Sequence, residues 1–199
     1  MRCAGAILAG GEARRFGGRP KGLERVGGIR IIDRVARALA AAAVDSPLLL
    51  VANEPAAASW LPDARVVPDA IAGRGPLVAL HAALHHAASD VLVVAWDMPF
   101  VTPALLRLLR DRGEGAAAAV VEREGGVEPL CAFYARACAP VAERLLGEGE
   151  RRAEALADAV AAVRIPRHEL TPLGDPDVLL FGVNDPAALA DAQRIRHGG

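Results

Sequence analysis

The segment Leu8-Ala9-Gly10-Gly11-Glu12-Ala13-Arg14-Arg15-Phe16-Gly17-Gly18-Arg19-Pro20-Lys21 follows a short apolar run, residues 3–8, that is typical of a buried strand. Four glycines and four cationic side chains fall within the twelve residues 10–21. Glycine lets backbone N–H groups turn toward a ligand, and arginine and lysine carry the charge that attracts phosphate. Open α/β sheets bind phosphates at a glycine-rich turn after the first strand. The segment therefore predicts both an α/β fold and a phosphate-binding loop.

Two common phosphate-binding motifs are absent from this segment. A P-loop requires Gly-Lys-Ser/Thr, but Lys21 lies between Pro20 and Gly22. The dinucleotide fingerprint begins with two glycines separated by one residue, whereas Gly10 and Gly11 are adjacent. From these residues alone, a flexible basic surface loop is the alternative to a phosphate site. In either case we expect the loop that carries Lys21 to face solvent.

The rest of the chain alternates apolar runs with helical periodicity. After the run at 3–8, further runs predict strands at 48–52, 65–67, 91–95, 116–122, 129–134 and 178–181. Periodicity and helix-start signals predict helices at 31–43, 77–88, 103–112, 137–147, 151–160 and 186–196. This alternation predicts one Rossmann-like, three-layer α/β domain over residues 1–199, with a mostly parallel, doubly wound sheet.

The strand order of such a sheet brings distant residues together. In the usual order the strands at 3–8 and 91–95 are neighbours, and ligands bind in the crevice at their carboxyl ends. Asp97 would then lie opposite the glycine-rich loop, although it is far from Lys21 in the sequence.

Composition and charge exclude several classes of protein. The chain has 199 residues, of which 53% are apolar, and a formal net charge of −1. This balance argues against a nucleic-acid partner, and no apolar run has the length of a membrane span or the pattern of a signal peptide. Cys3, Cys131 and Cys138 lack metal-binding spacing and are predicted to be reduced thiols. We therefore expect a cytoplasmic protein with no membrane partner.

Asp97 is the sharpest candidate metal ligand. It follows an apolar strand, and a carboxylate facing a phosphate loop is a suitable hard oxygen ligand for Mg²⁺. The alternative is a cap for the helix that begins near Pro103, but Thr102 is better placed for that cap. His81 and His85 have the spacing of a metal pair, yet no third ligand lies nearby in the sequence, so we predict packing or surface roles.

The glycine-rich segment resembles the signature of nucleotidyltransferases that use a nucleoside triphosphate. Its Leu8-Ala9-Gly10-Gly11 form, followed by arginine, a glycine pair and Lys21, is similar to that of the molybdenum cofactor guanylyltransferases, the MobA-like nucleotidyltransferase family. Asp97-Met98-Pro99, Gly75-Pro76-Leu77 and Asn184 also match family patterns, so the resemblance covers nearly the whole chain.

Two residues depart from the family pattern. Pro20 stands where the family often has an acidic residue, and Gly182 stands at the first asparagine of an Asn-x-Asn motif that ends at Asn184. The first departure puts the conformation of the loop in question, and the second removes half of a potential substrate-binding pair.

The resemblance implies a set of site residues. Arg15 and Lys21 would be phosphate clamps with a catalytic role, and Asp97 would bind the Mg²⁺ that bridges the triphosphate. Asn53 and Asp69 would contact guanosine, although the residue types alone fit turn-forming positions equally well. The full set of substrate-binding candidates is Leu8, Ala9, Gly10, Gly11, Gly18, Lys21, Asn53, Asp69, Gly75, Asp97 and Asn184.

The function that the resemblance implies is transfer of GMP from GTP to molybdopterin cofactor, with release of pyrophosphate and with Mg²⁺ as cofactor. Gly11 and the Asp97-Met98 pair favour the guanylyl branch of the family. The alternatives are a related enzyme that uses CTP on the same cofactor or acts on a sugar phosphate, and a non-catalytic nucleotide-binding partner of molybdenum enzymes. The resemblance also implies GTP and molybdopterin as partners, together with molybdenum enzymes or cofactor-delivery proteins.

Overall fold

A seven-stranded sheet forms the centre of the fold. The computed structural model describes residues 2–10, 20–42, 44–71 and 73–197. The strands in this part of the chain are β1 (Cys3–Leu8), β2 (Arg25–Val26), β3 (Ile29–Arg30), β4 (Asp45–Val51), β5 (Arg65–Val67), β6 (Asp90–Ala95), β7 (Ala118–Arg123), β8 (Gly126–Tyr134) and β9 (Val163–Ile165). The order in the sheet is β5-β4-β1-β6-β8-β7-β9, and β2 pairs with β3 in a separate hairpin.

Helices cover both faces of this sheet. They are α1 (Ile31–Ala41), α2 (Ala57–Trp60), α3 (Pro76–Ala87), α4 (Pro103–Gly113), α5 (Ala139–Gly147), α6 (Glu154–Ala159), α7 (Pro176–Leu179) and α8 (Pro186–His197). Short 3₁₀ helices lie at Lys21–Leu23, Arg136–Cys138 and Arg167–Leu173. Helices α1 and α4 pack on one face, and α3, α5 and α6 pack on the other. The mostly parallel, three-layer α/β architecture is therefore confirmed.

Strand β1 shows why its apolar run is continuous. Cys3 and Ile7 belong to the core beneath α1 and α4, whereas Ala6 and Leu8 belong to the core beneath α3. Successive side chains of a strand point to opposite faces, so a strand covered on both faces needs an apolar residue at every position.

Strands β1 and β6 are neighbours in the sheet, as the sequence predicts, and this part of the strand order positions the site. β1 lies between β4 and β6 and runs parallel to both, with Leu8 opposite Val51 on one side and Ala95 on the other. Among the sheet strands in the described residues, only β8 runs antiparallel to its neighbours, β6 and β7, as the hairpin turn at Gly125-Gly126 predicts. The predicted helices and strands up to residue 147 are found within three residues of their expected bounds.

One predicted strand is wrong. The apolar run at 178–181 does not join the sheet, because residues 176–179 form α7 and the chain then continues as a loop. Asp175 accepts a hydrogen bond from the Asp177 N–H and Pro176 occupies the first helical position, which is a helix-start signal. A run of four apolar residues does not by itself distinguish a strand from one buried helical turn. The last strand of the sheet is instead β9, whose three residues include Arg164.

The cysteines and the helices agree with what the sequence composition predicts about thiols and membrane spans. All three cysteines are buried free thiols, and burial raises the pKa of Cys3 and of Cys138 to about 11. In the part of the chain that the structure describes, no helix has the length and apolar character needed to cross a membrane.

Two glycines at the C-terminal ends of helices allow a test of how α4 packs on β8. A Cβ on Gly113 would clash with the buried ring of Phe133, whereas a Cβ on Gly147 would meet no atom within 4 Å. Gly113→Ala should therefore lower the free energy of unfolding by about 1–3 kcal/mol through overpacking. Gly147→Ala, the matched control, should leave stability unchanged or raise it slightly. Urea denaturation of the two variants measures the difference, and equal stabilities would contradict the packing of α4 on β8.

Candidate functional site

A cleft of about 1040 Å³ lies at the carboxyl edge of the parallel strands. Every predicted substrate-binding residue that the structure describes lines this cleft: Leu8, Ala9, Gly10, Lys21, Asn53, Asp69, Gly75, Asp97 and Asn184. Three further predicted residues, Gly11, Arg15 and Gly18, lie outside the described residues. The topology thus brings together side chains from segments distributed along most of the chain.

Strand register explains how four of these residues meet. Leu8, Val51, Val67 and Ala95 form one row across the sheet, because each is paired with its neighbour in the parallel ladder. Gly10, Asn53, Asp69 and Asp97 each lie two residues beyond a member of that row. These four residues therefore lie beside the same crevice at the carboxyl edge of the sheet.

Asp97 lies at the centre of a polar cluster. Its Oδ2 accepts a hydrogen bond from Lys21 Nζ, which also donates to Asn184 Oδ1 at 2.9 Å. The side chains of Lys21 and Asp97 are only 17% and 10% exposed. The loop does not present Lys21 to solvent as the sequence suggested, because the ammonium turns inward to this carboxylate. A partly buried ion pair is thus built from the glycine-rich loop and the end of β6.

Backbone hydrogen bonds hold this cluster in place. Trp96 N–H donates to Leu8 O at 3.2 Å, which continues the ladder one residue past β6. Val183 N–H donates to Asp97 O at 2.8 Å and so brings the loop carrying Asn184 against Asp97. The cap of α4 comes from Thr102, whose hydroxyl accepts from Leu105 N–H. The capping role considered for Asp97 is therefore filled by another residue.

The donor set of this cluster fits Mg²⁺. Asp97 Oδ2 and Asn184 Oδ1 both face the position of one cation, the Lys21 ammonium. Carboxylate and amide oxygens are ligands that Mg²⁺ accepts, and it commonly takes only one or two carboxylates, with phosphates and waters completing its shell. Among the described residues no group of three His, Cys, Asp or Glu side chains is arranged around a metal position. His81 is 3% exposed, which agrees with the packing role predicted for it.

Asn53 and Asp69 bind each other across the ends of β4 and β5. Asn53 Nδ2 donates to Asp69 Oδ2 at 2.6 Å, and Asp69 N–H donates to Asn53 Oδ1 at 2.9 Å. These two bonds use the amide oxygen of Asn53 but leave the carboxylate of Asp69 with further acceptor capacity. Asp69 can therefore accept from a ligand while Asn53 fixes its orientation.

Gly75 forms the start of α3 at the rim of the cleft. Its φ is 121°, and a Cβ there would come within 3.0 Å of Arg151. Pro76 takes the first helical position, and Leu77 N–H donates to Arg151 O at 3.1 Å. Glycine is therefore needed at position 75, because both the positive φ and the close approach of Arg151 disfavour a Cβ there.

The local structure accommodates both residues that depart from the family pattern, Pro20 and Gly182. Pro20 adopts a φ of −66°, which suits proline, and its carbonyl accepts from Leu23 N–H at 3.0 Å to begin the short 3₁₀ helix. Gly182 lines the cleft beside Asn184, whose Nδ2 lies 3.2 Å from the position of a Cβ on residue 182. Neither departure prevents Lys21 from reaching both Asp97 and Asn184.

The sequence reasoning missed four large side chains of the cleft. Trp60 and Trp96 stack with their ring centroids 5.2 Å apart, and Trp96 Nε1 is buried without a hydrogen-bond partner among the described residues. Glu128 is buried and its Oε2 accepts from Arg123 Nη1. Burial raises the pKa of Glu128, and the guanidinium of Arg123 opposes that shift. The one available signal was a glutamate inside an apolar strand beside Pro129.

Comparisons with known proteins agree with this geometry. A model of the MobA-like NTP transferase domain matches residues 5–164. The chain is 36% identical over 194 residues to a probable molybdenum cofactor guanylyltransferase of Pelotomaculum thermopropionicum, covering 97% of this chain and 93% of that protein. It is 35% identical to a molybdenum cofactor guanylyltransferase of Desulfosudis oleivorans, covering 98% and 96% of the two chains.

A solved structure is similar over its full length. The crystal structure of molybdopterin-guanine dinucleotide biosynthesis protein A from Archaeoglobus fulgidus superposes with a TM-score of 0.83 at 28% identity and covers 100% of both chains. The likeness therefore includes the C-terminal segment that carries Asn184, which lies beyond the matched family domain.

The ion pair of the cleft can be tested through stability. Lys21→Ala should lower the free energy of unfolding by about 1–3 kcal/mol without added nucleotide or metal, because it leaves the Asp97 carboxylate buried and unpaired. In an Asp97→Asn background the same substitution should cost much less. Arg164→Ala, which removes a half-exposed partner of Asp158, is the control and should cost little. A double-mutant cycle by urea denaturation measures the coupling, and additive effects would contradict the pairing.

Proposed function

The chain belongs to the MobA-like NTP transferase family, and we propose from this membership and from the cleft that it transfers GMP from GTP to the phosphate of molybdopterin cofactor, releasing pyrophosphate. The observation that carries the proposal is the cluster of Lys21, Asp97 and Asn184, which joins three separate segments at the end of β6. A glycine-rich loop carrying a lysine, a buried carboxylate and an amide oxygen in one cluster are suited to nucleotidyl transfer.

The nucleotide would lie along the row of strand ends. Its phosphates would contact the glycine-rich loop that begins at Leu8, Ala9 and Gly10, and its base would reach the Asn53–Asp69 pair at the ends of β4 and β5. Guanine presents two adjacent N–H donors on one edge, and a carboxylate accepts two such bonds well. Asp69 is thus the proposed guanine contact, and Asn53 is the residue that orients it.

The reaction requires little covalent chemistry from the protein. An oxygen of the acceptor phosphate attacks the α-phosphorus of GTP, the bond to the β-phosphate oxygen breaks, and pyrophosphate leaves with those electrons. The attacking oxygen is already ionised, so no general base is needed. The protein contributes alignment of the two phosphates and positive charge where negative charge develops.

Lys21 is the proposed source of that charge. It has three donors on a flexible stem, and it can exchange its bond to Asp97 for a bond to the triphosphate. Asp97 and Asn184 would hold Mg²⁺ through Oδ2 and Oδ1, the oxygens that Lys21 contacts in this structure. When bound, the cation neutralises phosphate charge and favours departure of pyrophosphate. Arg15 and Gly18, on the same loop, are proposed to contact the phosphates as well.

We also propose that the nucleotidyltransferase domain extends beyond residue 164, where the matched family domain ends. Asn184 contributes directly to the polar cluster of the cleft. On α8, Gln193 accepts from Gly27 N–H at 3.1 Å and donates to Arg25 O at 2.7 Å, which ties the C-terminal helix to the β2–β3 hairpin.

A pyrophosphate-release assay tests the proposal directly. With GTP, Mg²⁺ and molybdenum-loaded molybdopterin, pyrophosphate should form in proportion to the dinucleotide product. Release only with CTP would assign the chain to the cytidylyl branch of the family. Nucleotide binding without any release would identify a non-catalytic nucleotide-binding protein instead.

Base preference tests the assignment of Asp69. GTP should bind about 10–100-fold tighter than CTP or ATP, because neither cytosine nor adenine presents two adjacent N–H donors to the Asp69 carboxylate that the bound base would cover. Asp69→Asn should remove most of this preference, whereas Asp63→Asn, on the exposed turn before β5, should retain it. Isothermal titration calorimetry gives the dissociation constants, and equal values for the three nucleotides would exclude a guanine site here.

Asp97→Asn tests the proposed metal ligand. Turnover should fall by about 100-fold or more, and raised Mg²⁺ should restore it only in part, because asparagine keeps the shape but loses the charge that holds a dication. Asp90→Asn is the matched control, since Asp90 begins the same strand at the opposite edge of the sheet and accepts from Arg136 N–H. Both variants should fold. Normal turnover of Asp97→Asn at ordinary Mg²⁺ would rule out the metal role.

A further inference from the structure

The β7–β8 hairpin provides the cleft with a second buried carboxylate. Glu128 is 8% exposed and lines the cleft together with Arg123. Both of its oxygens have partners: Oε2 accepts from Arg123 Nη1, and Oε1 accepts from Leu130 N–H at 3.1 Å. A carboxylate bound on both oxygens is suited to holding the guanidinium in place rather than to acting as a metal ligand.

A bulge in β8 directs Glu128 to this position. Val121 pairs with Glu128, but the adjacent Val120 pairs with Ala132, so three residues of β8 have no counterpart on β7. Pro129 lies within the bulge, where it has no N–H to contribute to the ladder, and its carbonyl accepts from the buried Tyr134 hydroxyl at 3.0 Å. Bulges of this kind re-aim side chains beside active sites.

The strand order places Arg123 and the proposed guanine site on opposite sides of β1 and β6. In the sheet, β4 and β5 lie on one side of β1, whereas β6, β8 and β7 follow on the other. On the first side, Asp69 lies two residues beyond the end of β5. On the second side, Arg123 is the last residue of β7. Asp97, at the end of β6, lies between them, so a group held by Arg123 would approach the triphosphate from the side opposite the base.

The charge of the cleft requires a cation on that second side. An acceptor phosphate must approach Asp97, Glu128 and the nucleotide's own phosphates, all of which repel it. Among the described residues, the cations lining the cleft are Lys21, Arg74 and Arg123. Lys21 is at the metal cluster and Arg74 is on the loop before α3, so Arg123 is the cation on the hairpin side. Its side chain is 48% exposed while that of Glu128 is 10% exposed, which leaves guanidinium donors available to a ligand.

We propose that Arg123 binds the terminal phosphate of the acceptor and that Glu128 is the positioning residue that holds its guanidinium toward the cleft. This inference rests on the proposed function, since it assumes an acceptor that carries a phosphate monoester. Arginine is suited to the role because its planar fork can keep one N–H on Glu128 while others bind phosphate oxygens. The pair would thereby select for phosphorylated acceptors without contacting GTP.

Steady-state kinetics with the acceptor varied at saturating GTP test the pair. Arg123→Ala should raise the KM for molybdopterin by about 10–100-fold, the scale of losing a charged hydrogen bond, and leave the Kd for GTP within about twofold. Arg123→Lys should give an intermediate KM, because it restores the charge but not the fork. Glu128→Gln should also raise the acceptor KM, since it keeps an acceptor for Leu130 N–H but no longer holds the guanidinium by charge.

Arg144→Ala is the matched control, because Arg144 is a similarly exposed arginine paired with Glu148 on α5, away from the cleft. It should leave both constants unchanged. An Arg123→Ala variant that keeps the wild-type acceptor KM, or that lowers only kcat, would overturn this inference while the proposed function stands. A wild-type protein that releases no pyrophosphate with GTP and the acceptor would overturn the proposed function itself. If Arg123→Ala does not fold, Arg123→Lys with an unchanged acceptor KM would overturn the inference equally.

Discussion

The ion pair between Lys21 and Asp97 joins the loop after β1 to the carboxyl end of β6. Lys21 follows the loop after β1, and Asp97 follows β6, so the pair depends on β1 and β6 lying side by side in parallel. A partly buried ammonium and carboxylate stabilise each other only while both are present, since either alone would be a buried, unpaired charge. The same constraint fixes Asn184, because the loop at Val183 is hydrogen-bonded to the backbone of Asp97.

The sheet divides the cleft into two sides with different construction. On one side, parallel strands end in a common row and place Asn53 beside Asp69, so polar contacts arise from register alone. On the other side, the antiparallel strand β8 begins at the cleft edge and runs away from it, and a bulge near its start directs Glu128 to the cleft. Parallel register therefore builds the side that we propose for the nucleotide, and an irregular hairpin builds the side that we propose for the acceptor.

The departures at Pro20 and Gly182 leave the polar cluster of the cleft intact. Pro20 precedes a 3₁₀ turn that its fixed φ favours, and the Lys21 side chain that follows it points to Asp97. Gly182 removes a side chain from the cleft wall but leaves Asn184 hydrogen-bonded to Lys21. Lys21 therefore keeps its hydrogen bonds to Asp97 and Asn184 with a proline at position 20 and a glycine at position 182.

The sequence by itself determined the parallel α/β class, most element bounds and the residues just past the strand ends, because periodicity, caps and glycine-rich turns are local signals. It did not determine the run at 178–181, since four apolar residues suit a strand or a buried helical turn, and here the cap at Asp175 decides. Only the tertiary structure decided that Lys21 turns inward and that Arg123 and Glu128 line the cleft. Those facts depend on strand order and on a bulge, which arise from contacts between residues far apart in the chain.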